Sequence, residues 1–223
     1  MFYDLCSKKN LIEKAQKLGY EKNVINEEIT QTELQKRMSQ KQQQSEKFDR
    51  VTIIVENDTK PLNFLSNLNA NLVAVRPCGE KSFFSACSSS DIDIIQFDFS
   101  ERLGYNLKHT TVNLAIQKGI YFEICYSLAI EDENIRKNMI GNSASLIRAT
   151  RGKNIIVSSG ASNPIYLRGP YDVINLCSIF GLNSYLAKSC LLKNCRKVLL
   201  HADTRINSLK GIISLKRKAE EIE

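Results

Sequence analysis

The sequence predicts an α/β protein, and three observations carry that expectation. Short β-rich runs alternate with helical stretches along most of the chain. Several of the runs are nearly continuous apolar segments, such as Thr52-Ile53-Ile54-Val55, which suit strands covered on both faces and hence parallel pairing. Seven strand–helix units follow one another in series. A barrel of the eight-stranded type averages ~250 residues, so 223 residues make a lean one. An open doubly wound sheet is the rival architecture, but neither a GxGxxG nor a GxxxxGKS/T phosphate loop is present to support it.

The expected strands are Phe2–Leu5, Asn23–Asn26, Arg50–Val55, Leu72–Val75, Ile94–Asp98, Ile120–Tyr126 and Ile155–Ser158. Helical periodicity falls between them, over Asn10–Leu18, Thr32–Gln44, Leu62–Asn67, Lys81–Ser88, His109–Gln117, Glu131–Thr150 and Pro170–Phe180. Further helices are expected over Asn183–Lys193 and roughly Lys210–Ala219. Gly19 closes the first helix, and Pro77 holds Arg76 extended at a strand end. Gly169-Pro170 opens a helix with proline at its first position, Asp172 favours the dipole there, and Gly181 ends it. The tract Gln40–Gln44 is polar and carries no evident chemistry. The organisation expected is one α/β barrel domain over residues 1–200, followed by a helical tail over 201–223 with basic Lys216-Arg217-Lys218 and then acidic residues.

The net charge of +7 is unevenly spread. Residues 1–133 hold 16 Lys/Arg against 19 Asp/Glu, whereas residues 134–223 hold 15 against 5. A one-sided positive field suits a polyanion such as nucleic acid. Seven cysteines, an odd number without a CxxC pair, read as reduced thiols inside apolar stretches. No apolar run approaches the ~20 residues of a membrane span, and MFYDLCSKKN lacks a signal-peptide core. The expectation is a soluble cytoplasmic protein with no membrane partner.

Only two histidines are present, His109 and His201, and no HxH, HExxH or GxSxG motif occurs. A histidine-rich metal centre and a hydrolase elbow are therefore not expected. The polar residues at strand ends are more informative. Alternation puts Tyr121, Glu123 and Cys125 on one face of their strand. Asp4, Arg76, Asp98, Glu123 and Ser159 all fall in or near strand C-terminal halves, which converge on the mouth of a barrel. The expectation is a polar network of Asp4, Asp98, Glu123 and Ser159, with Arg76 as its counter-charge. On the helix Glu131–Thr150, Ile135, Met139, Ser143, Leu146 and Thr150 form the apolar stripe. Lys137 and Arg148 lie on the opposite side, about 16 Å apart at ~1.5 Å per residue, with Arg151 on the flank. Such a ridge can follow phosphates or simply face solvent. Candidate RNA-contacting residues are Lys137, Arg148, Arg151 and Arg168, with Arg76 and Lys81 as weaker choices.

A set of short segments in a fixed order resembles the ribonuclease P protein component 3 family. They are Phe2-Tyr3-Asp4-Leu5, Leu18-Gly19-Tyr20, Glu80-Lys81-Ser82-Phe83, Ala86-Cys87, Asp91-Ile92-Asp93-Ile94, Phe122-Glu123-Ile124, Ile156-Val157-Ser158-Ser159-Gly160-Ala161 and Leu167-Arg168-Gly169-Pro170. The resemblance implies a TIM-like barrel related to the polymerase–histidinol phosphatase fold. Metal enzymes of that fold begin with a strand like Asp-Leu-His, where this chain has Asp4-Leu5-Cys6. The implied barrel has no metallohydrolase site, no catalytic residue and no cofactor of its own, Mg²⁺ being expected for the RNA. The implied role is a protein subunit of ribonuclease P, supporting the catalytic RNA that removes the 5′ leader of precursor tRNA. Its implied partners are that RNA, protein component 2 in a two-plus-two assembly, the other protein subunits and, indirectly, precursor tRNA. The alternatives are a metal-dependent phosphoesterase like those of the polymerase–histidinol phosphatase fold and a free-standing RNA-binding module.

Overall fold

A computed structural model describes residues 1–39, 48–58, 62, 65, 68 and 70–207. The strands are β1 (Phe2–Ser7), β2 (Tyr20–Thr30), β3 (Phe48–Ile54), β4 (Ala70–Arg76), β5 (Ile94–Gln96), β6 (Tyr121–Cys125) and β7 (Ile155–Ser158). The helices are α1 (Ile12–Lys17), α2 (Gln31–Ser39), α3 (Glu80–Ser88), α4 (His109–Gln117), α5 (Ser127–Glu131), α6 (Glu133–Thr150), α7 (Pro170–Ile179), α8 (Ser184–Leu191) and α9 (Lys193–Asn207).

The seven strands pair in sequence order, every neighbour parallel. Just past β7 the chain turns back onto β1. The Gly160 amide donates to the Cys6 carbonyl at 3.0 Å, and the Ser159 amide and hydroxyl donate to Asp4. These bonds bring the sheet into a nearly closed barrel with one strand fewer than the eight-stranded type. The barrel, not the open sheet, is the architecture.

Period-two alternation divides each strand between two compartments. Val51, Ile53, Val73, Val75, Ile95, Phe122, Ile124, Ile155 and Val157 belong to the outer core under the helices. Tyr3, Leu5, Leu72, Ala74, Ile94, Tyr121 and Ile156 fill the lower part of the barrel, where they meet Cys195, Val198 and Ala202 of α9. That helix crosses the N-terminal end of the barrel as a plug. Its apolar residues recur at spacings of three and four, which places them on one face.

The sequence pattern missed α9. The helix expected over Asn183–Lys193 ends at Leu191, and a new one starts at Lys193 after the irregular Leu192 (φ −121°, ψ −84°). The expected domain boundary at residue 200 falls inside α9. His201 and Arg205, both beyond it, bind Asp93 at the start of β5. The helix expected over Glu131–Thr150 is α6, starting two residues later at Glu133, and the short α5 before it was not expected. Asp132 is extended and caps α6 by accepting from the Asn134 and Ile135 amides, which stops α5 at Glu131. The tract Gln40–Gln44, most of the helix expected over Leu62–Asn67, the helix expected near Lys210–Ala219 and Lys216-Arg217-Lys218 lie outside the described residues. Among the described residues, no helix is long and apolar enough to cross a membrane.

Candidate functional site

Above the apolar plug the barrel interior turns polar. Arg50 and Thr52 of β3, Glu123 of β6 and Ser158 of β7 point inward and are fully buried. Arg50 meets Glu123 in a bidentate pair, Nη1 donating to Oε1 at 2.7 Å and Nη2 to Oε2. Arg50 also donates to the Leu5 carbonyl at 2.7 Å, and the Ser158 hydroxyl donates to Glu123 Oε1 at 2.7 Å. Burial opposes the charge on Glu123, but the guanidinium of Arg50 and these hydrogen bonds overcome it, leaving the carboxyl below its usual range. Thr52 extends the network by donating to Asn26 Oδ1 at 2.7 Å.

The direct counter-charge of Glu123 is therefore Arg50 and not Arg76. Asp4, Arg76, Asp98 and Glu123 feel one another's charge, but each makes its hydrogen bonds to other partners. Arg76, at the end of β4, pairs with Glu28 at 2.6 Å and donates to Gln96 Oε1 at 2.9 Å. Asp98 turns onto the Ser100 amide and hydroxyl. Asp4 is held by Ser159, through both its amide and its hydroxyl, and by the Cys6 amide. Burial pushes the Asp4 carboxyl above its ordinary value although those bonds pull it back. The physical reason for the difference is height along the barrel. Arg50 shares the inward face of β3 with Thr52, one layer below the mouth. Arg76 has the inward parity of Leu72 and Ala74 on β4 but stands at the rim, where it meets Glu28 of the long strand β2.

The C-terminal mouth holds a cavity of about 520 Å³, lined among others by Cys6, Asn26, Arg76, Gln96, Asp98 and Cys125. Gln96 donates from Nε2 to Cys125 Sγ at 3.0 Å and lies 3.8 Å from Cys6 Sγ. The neighbouring Cys6 thiol, together with burial, pushes Cys125 well above the usual thiol range. Cys6, Cys125 and Glu123 bring their donor atoms within 4.8 Å of one another. Neither histidine reaches this mouth. His109 is held by the Ala149 carbonyl and Asn113, and His201 lies at the opposite end against Asp93 and the Lys118 carbonyl.

The six basic candidates are dispersed. Arg148 and Arg151 come together at the end of α6, both exposed, and line a shallow cleft of about 540 Å³ with His109, Asn106 and Ser145. Arg151 occupies the helix C-cap in the left-handed region, φ 54°. Lys137 is exposed nearer the start of α6. Lys81 is exposed on α3, but the Asp58 carboxylate already fills that helix N-terminus by accepting from the Lys81 and Ser82 amides. Arg168 turns its guanidinium onto the Ile165 and Leu167 carbonyls at 2.7 and 2.8 Å. Arg76 is engaged at the mouth as described. Lys108, which sequence reasoning did not single out, lies beside Lys81 and the 55% exposed Phe84 in another cleft.

Comparison with known proteins agrees with this architecture. A family model described as RNase P subunit p30 matches residues 1–207. Ribonuclease P protein subunit p30 of Mus musculus is 34% identical over 241 aligned residues, covering 99% of this chain and 89% of the mouse protein. Probable ribonuclease P protein subunit 3 of Schizosaccharomyces pombe is 39% identical over 170 residues, covering 75% of this chain and 72% of the yeast protein. A chain of an archaeal ribonuclease P solved by cryo-electron microscopy with mature tRNA shares the fold. It has a TM-score of 0.73 at 15% identity, covering 98% of this chain and 100% of that one.

Proposed function

The chain belongs to the RNase P subunit p30 family, and from that premise we propose that it is a protein subunit of ribonuclease P, supporting the catalytic RNA in removal of the 5′ leader from precursor tRNA. The observation that carries this reading is the family match over residues 1–207, which runs from β1 to the end of α9. In this reading the RNA and its Mg²⁺ perform the cleavage, and the barrel's exposed basic surface holds RNA phosphates. Such contacts position the RNA and do not read its sequence. Arg148 and Arg151 are the best placed for that task. They are adjacent, exposed and turned to a common cleft, whereas Arg76 and Arg168 spend their guanidinium groups on internal partners. Protein component 2 is the proposed protein partner, in a two-plus-two assembly.

Purification of the tagged full chain from its native cell tests the reading. It predicts one long structured RNA, component 2 and leader-removing activity in the same fraction. A heterogeneous RNA population without that activity supports a free-standing RNA-binding module and contradicts the subunit role.

A further inference from the structure

The geometry points to a sulfur-based site for a Zn²⁺-class dication at the barrel mouth, held by Cys6, Cys125 and Glu123. This inference is independent of the ribonuclease P reading. The ligand atoms come from β1 and β6, the strands on either side of β7, and already lie within 4.8 Å of one another. Around a tetrahedral zinc, with bonds of roughly 2.0–2.3 Å, neighbouring donors stand about 3.5–4 Å apart. A contraction of at most about 1 Å therefore brings the three donors to bonding distance of one ion. Both thiols line the 520 Å³ mouth cavity, so an ion has a path in and a fourth position open to water.

The surroundings fit the bound state. Arg76 donates to Gln96 Oε1, which fixes the amide so that its Nε2 faces Cys125 Sγ at 3.0 Å and Cys6 Sγ at 3.8 Å. Amide N–H groups aimed at sulfur stabilise a metal thiolate as outer partners do. Gly160 (φ +57°) passes so close that a Cβ there would stand 2.8 Å from Cys125 Cβ, so glycine leaves the Cys125 side chain its room. Glu123 Oε1 accepts from Arg50 and Ser158, while among the described residues Oε2 accepts from Arg50 only, leaving acceptor capacity on Oε2.

Charge selects the valence. The Glu123 carboxylate and the Arg50 guanidinium cancel, and a dication balances the two thiolates that hold it, so the buried cluster stays neutral. A monovalent ion with both thiolates would leave a net buried charge, which is costly. Sulfur donors favour zinc over the hard ions Mg²⁺ and Ca²⁺. The missing histidine motifs do not bear on this site because its ligands are thiols. Bound there, the ion ties β1 to β6 across the seam where β7 meets β1 through the Gly160–Cys6 and Ser159–Asp4 bonds.

The test uses the full chain carrying Cys78→Ser, which removes the exposed thiol, and titrates it with Co²⁺ as an optical probe and with Zn²⁺. The expected result is one equivalent of Co²⁺ with a thiolate-to-cobalt charge-transfer band, displaced by one equivalent of Zn²⁺, and a Tm that rises with Zn²⁺ concentration. Adding Cys6→Ser and Cys125→Ser should abolish the band, whereas Cys177→Ser should retain it. A folded Cys78→Ser protein that gives no thiolate band overturns the proposal without recourse to any variant at the site. An undiminished band in the Cys6→Ser, Cys125→Ser protein overturns it as well.

Discussion

The two ends of the barrel solve the same packing problem differently. At the N-terminal end, α9 lays Cys195, Val198 and Ala202 on the inward residues of the strands. A charged latch then fastens the helix: Asp93 accepts from the Val73 amide at 2.9 Å, from His201 Nδ1 at 2.9 Å and from Arg205. Gly119 (φ +81°) makes room for the His201 ring, since a Cβ there would stand 2.8 Å from Cδ2. At the C-terminal end no described residue enters in a comparable way. The buried Arg50–Glu123 pair forms the floor, and above it a cavity is ringed by Cys6, Arg76, Gln96 and Cys125. The closed end holds the barrel together, and the open end is where a ligand can enter.

The comparison can be broken most severely at the boundary between the two regions. Glu123→Ala leaves Arg50 buried without its carboxylate and should cost about 3–5 kcal/mol in denaturant unfolding. Combining it with Arg50→Met should recover much of the loss, because no charge is then stranded. A double variant as unstable as Glu123→Ala would show that the pair does more than cancel its own charges. At the closed end, Asp93→Asn weakens charge-assisted bonds to His201 and Arg205 and should cost about 1.5–3 kcal/mol. Loss of protection of α9 in hydrogen exchange should accompany it, while the mouth keeps its protection.

A smaller effect separates the two ends by pH. Both ring nitrogens of His201 face acceptors, the Asp93 carboxylate and the Lys118 carbonyl at 3.1 Å. The Asp93 hydrogen bond, opposed by burial, raises the His201 pKa above its ordinary value. The stabilisation is thus fully present below the unfolded value of about 6.5 and is lost as pH rises through the higher folded value. The Tm difference between wild type and His201→Gln should be greatest at mildly acidic pH and shrink on the alkaline side. A difference independent of pH would count against a protonated latch. A smaller effect again is expected at the rim. Arg76 and Glu28 are 21% and 44% exposed, so breaking their pair with Arg76→Ala should cost no more than about 1 kcal/mol.

The same contrast explains what the sequence revealed. Strands covered on both faces announce themselves as apolar runs, and Ile155–Ser158 and helix His109–Gln117 have the bounds that pattern predicts. Strand β2 is longer than its pattern because Glu21, Lys22, Glu27 and Glu28 interrupt the apolar signal. Helix α9 was hidden by its many charges and by the single residue, Leu192, that separates it from α8. Its signal was present in Cys195, Val198 and Ala202, with His201 and Arg205 four apart. Alternation placed Glu123 inside the barrel but did not find Arg50, which heads an apolar run and reads as a flanking charge. The Cys6–Cys125 approach depends on closure of β7 onto β1, a long-range relation that local patterning does not carry.

Away from both ends, Arg148→Glu with Arg151→Glu should change stability by no more than about 0.5 kcal/mol. It should weaken assembly with the catalytic RNA at moderate salt and flatten the salt dependence, because fewer counterions are released. Unchanged assembly and salt slope would move the RNA contact to another face.

The most direct test of the subunit role is leader removal from precursor tRNA, assayed with Mg²⁺ on the purified chain alone and on the assembly purified with its RNA. The account predicts cleavage by the RNA-containing assembly, loss of cleavage when that RNA is digested, and none by the chain alone. Leader removal by the RNA-free chain would contradict it.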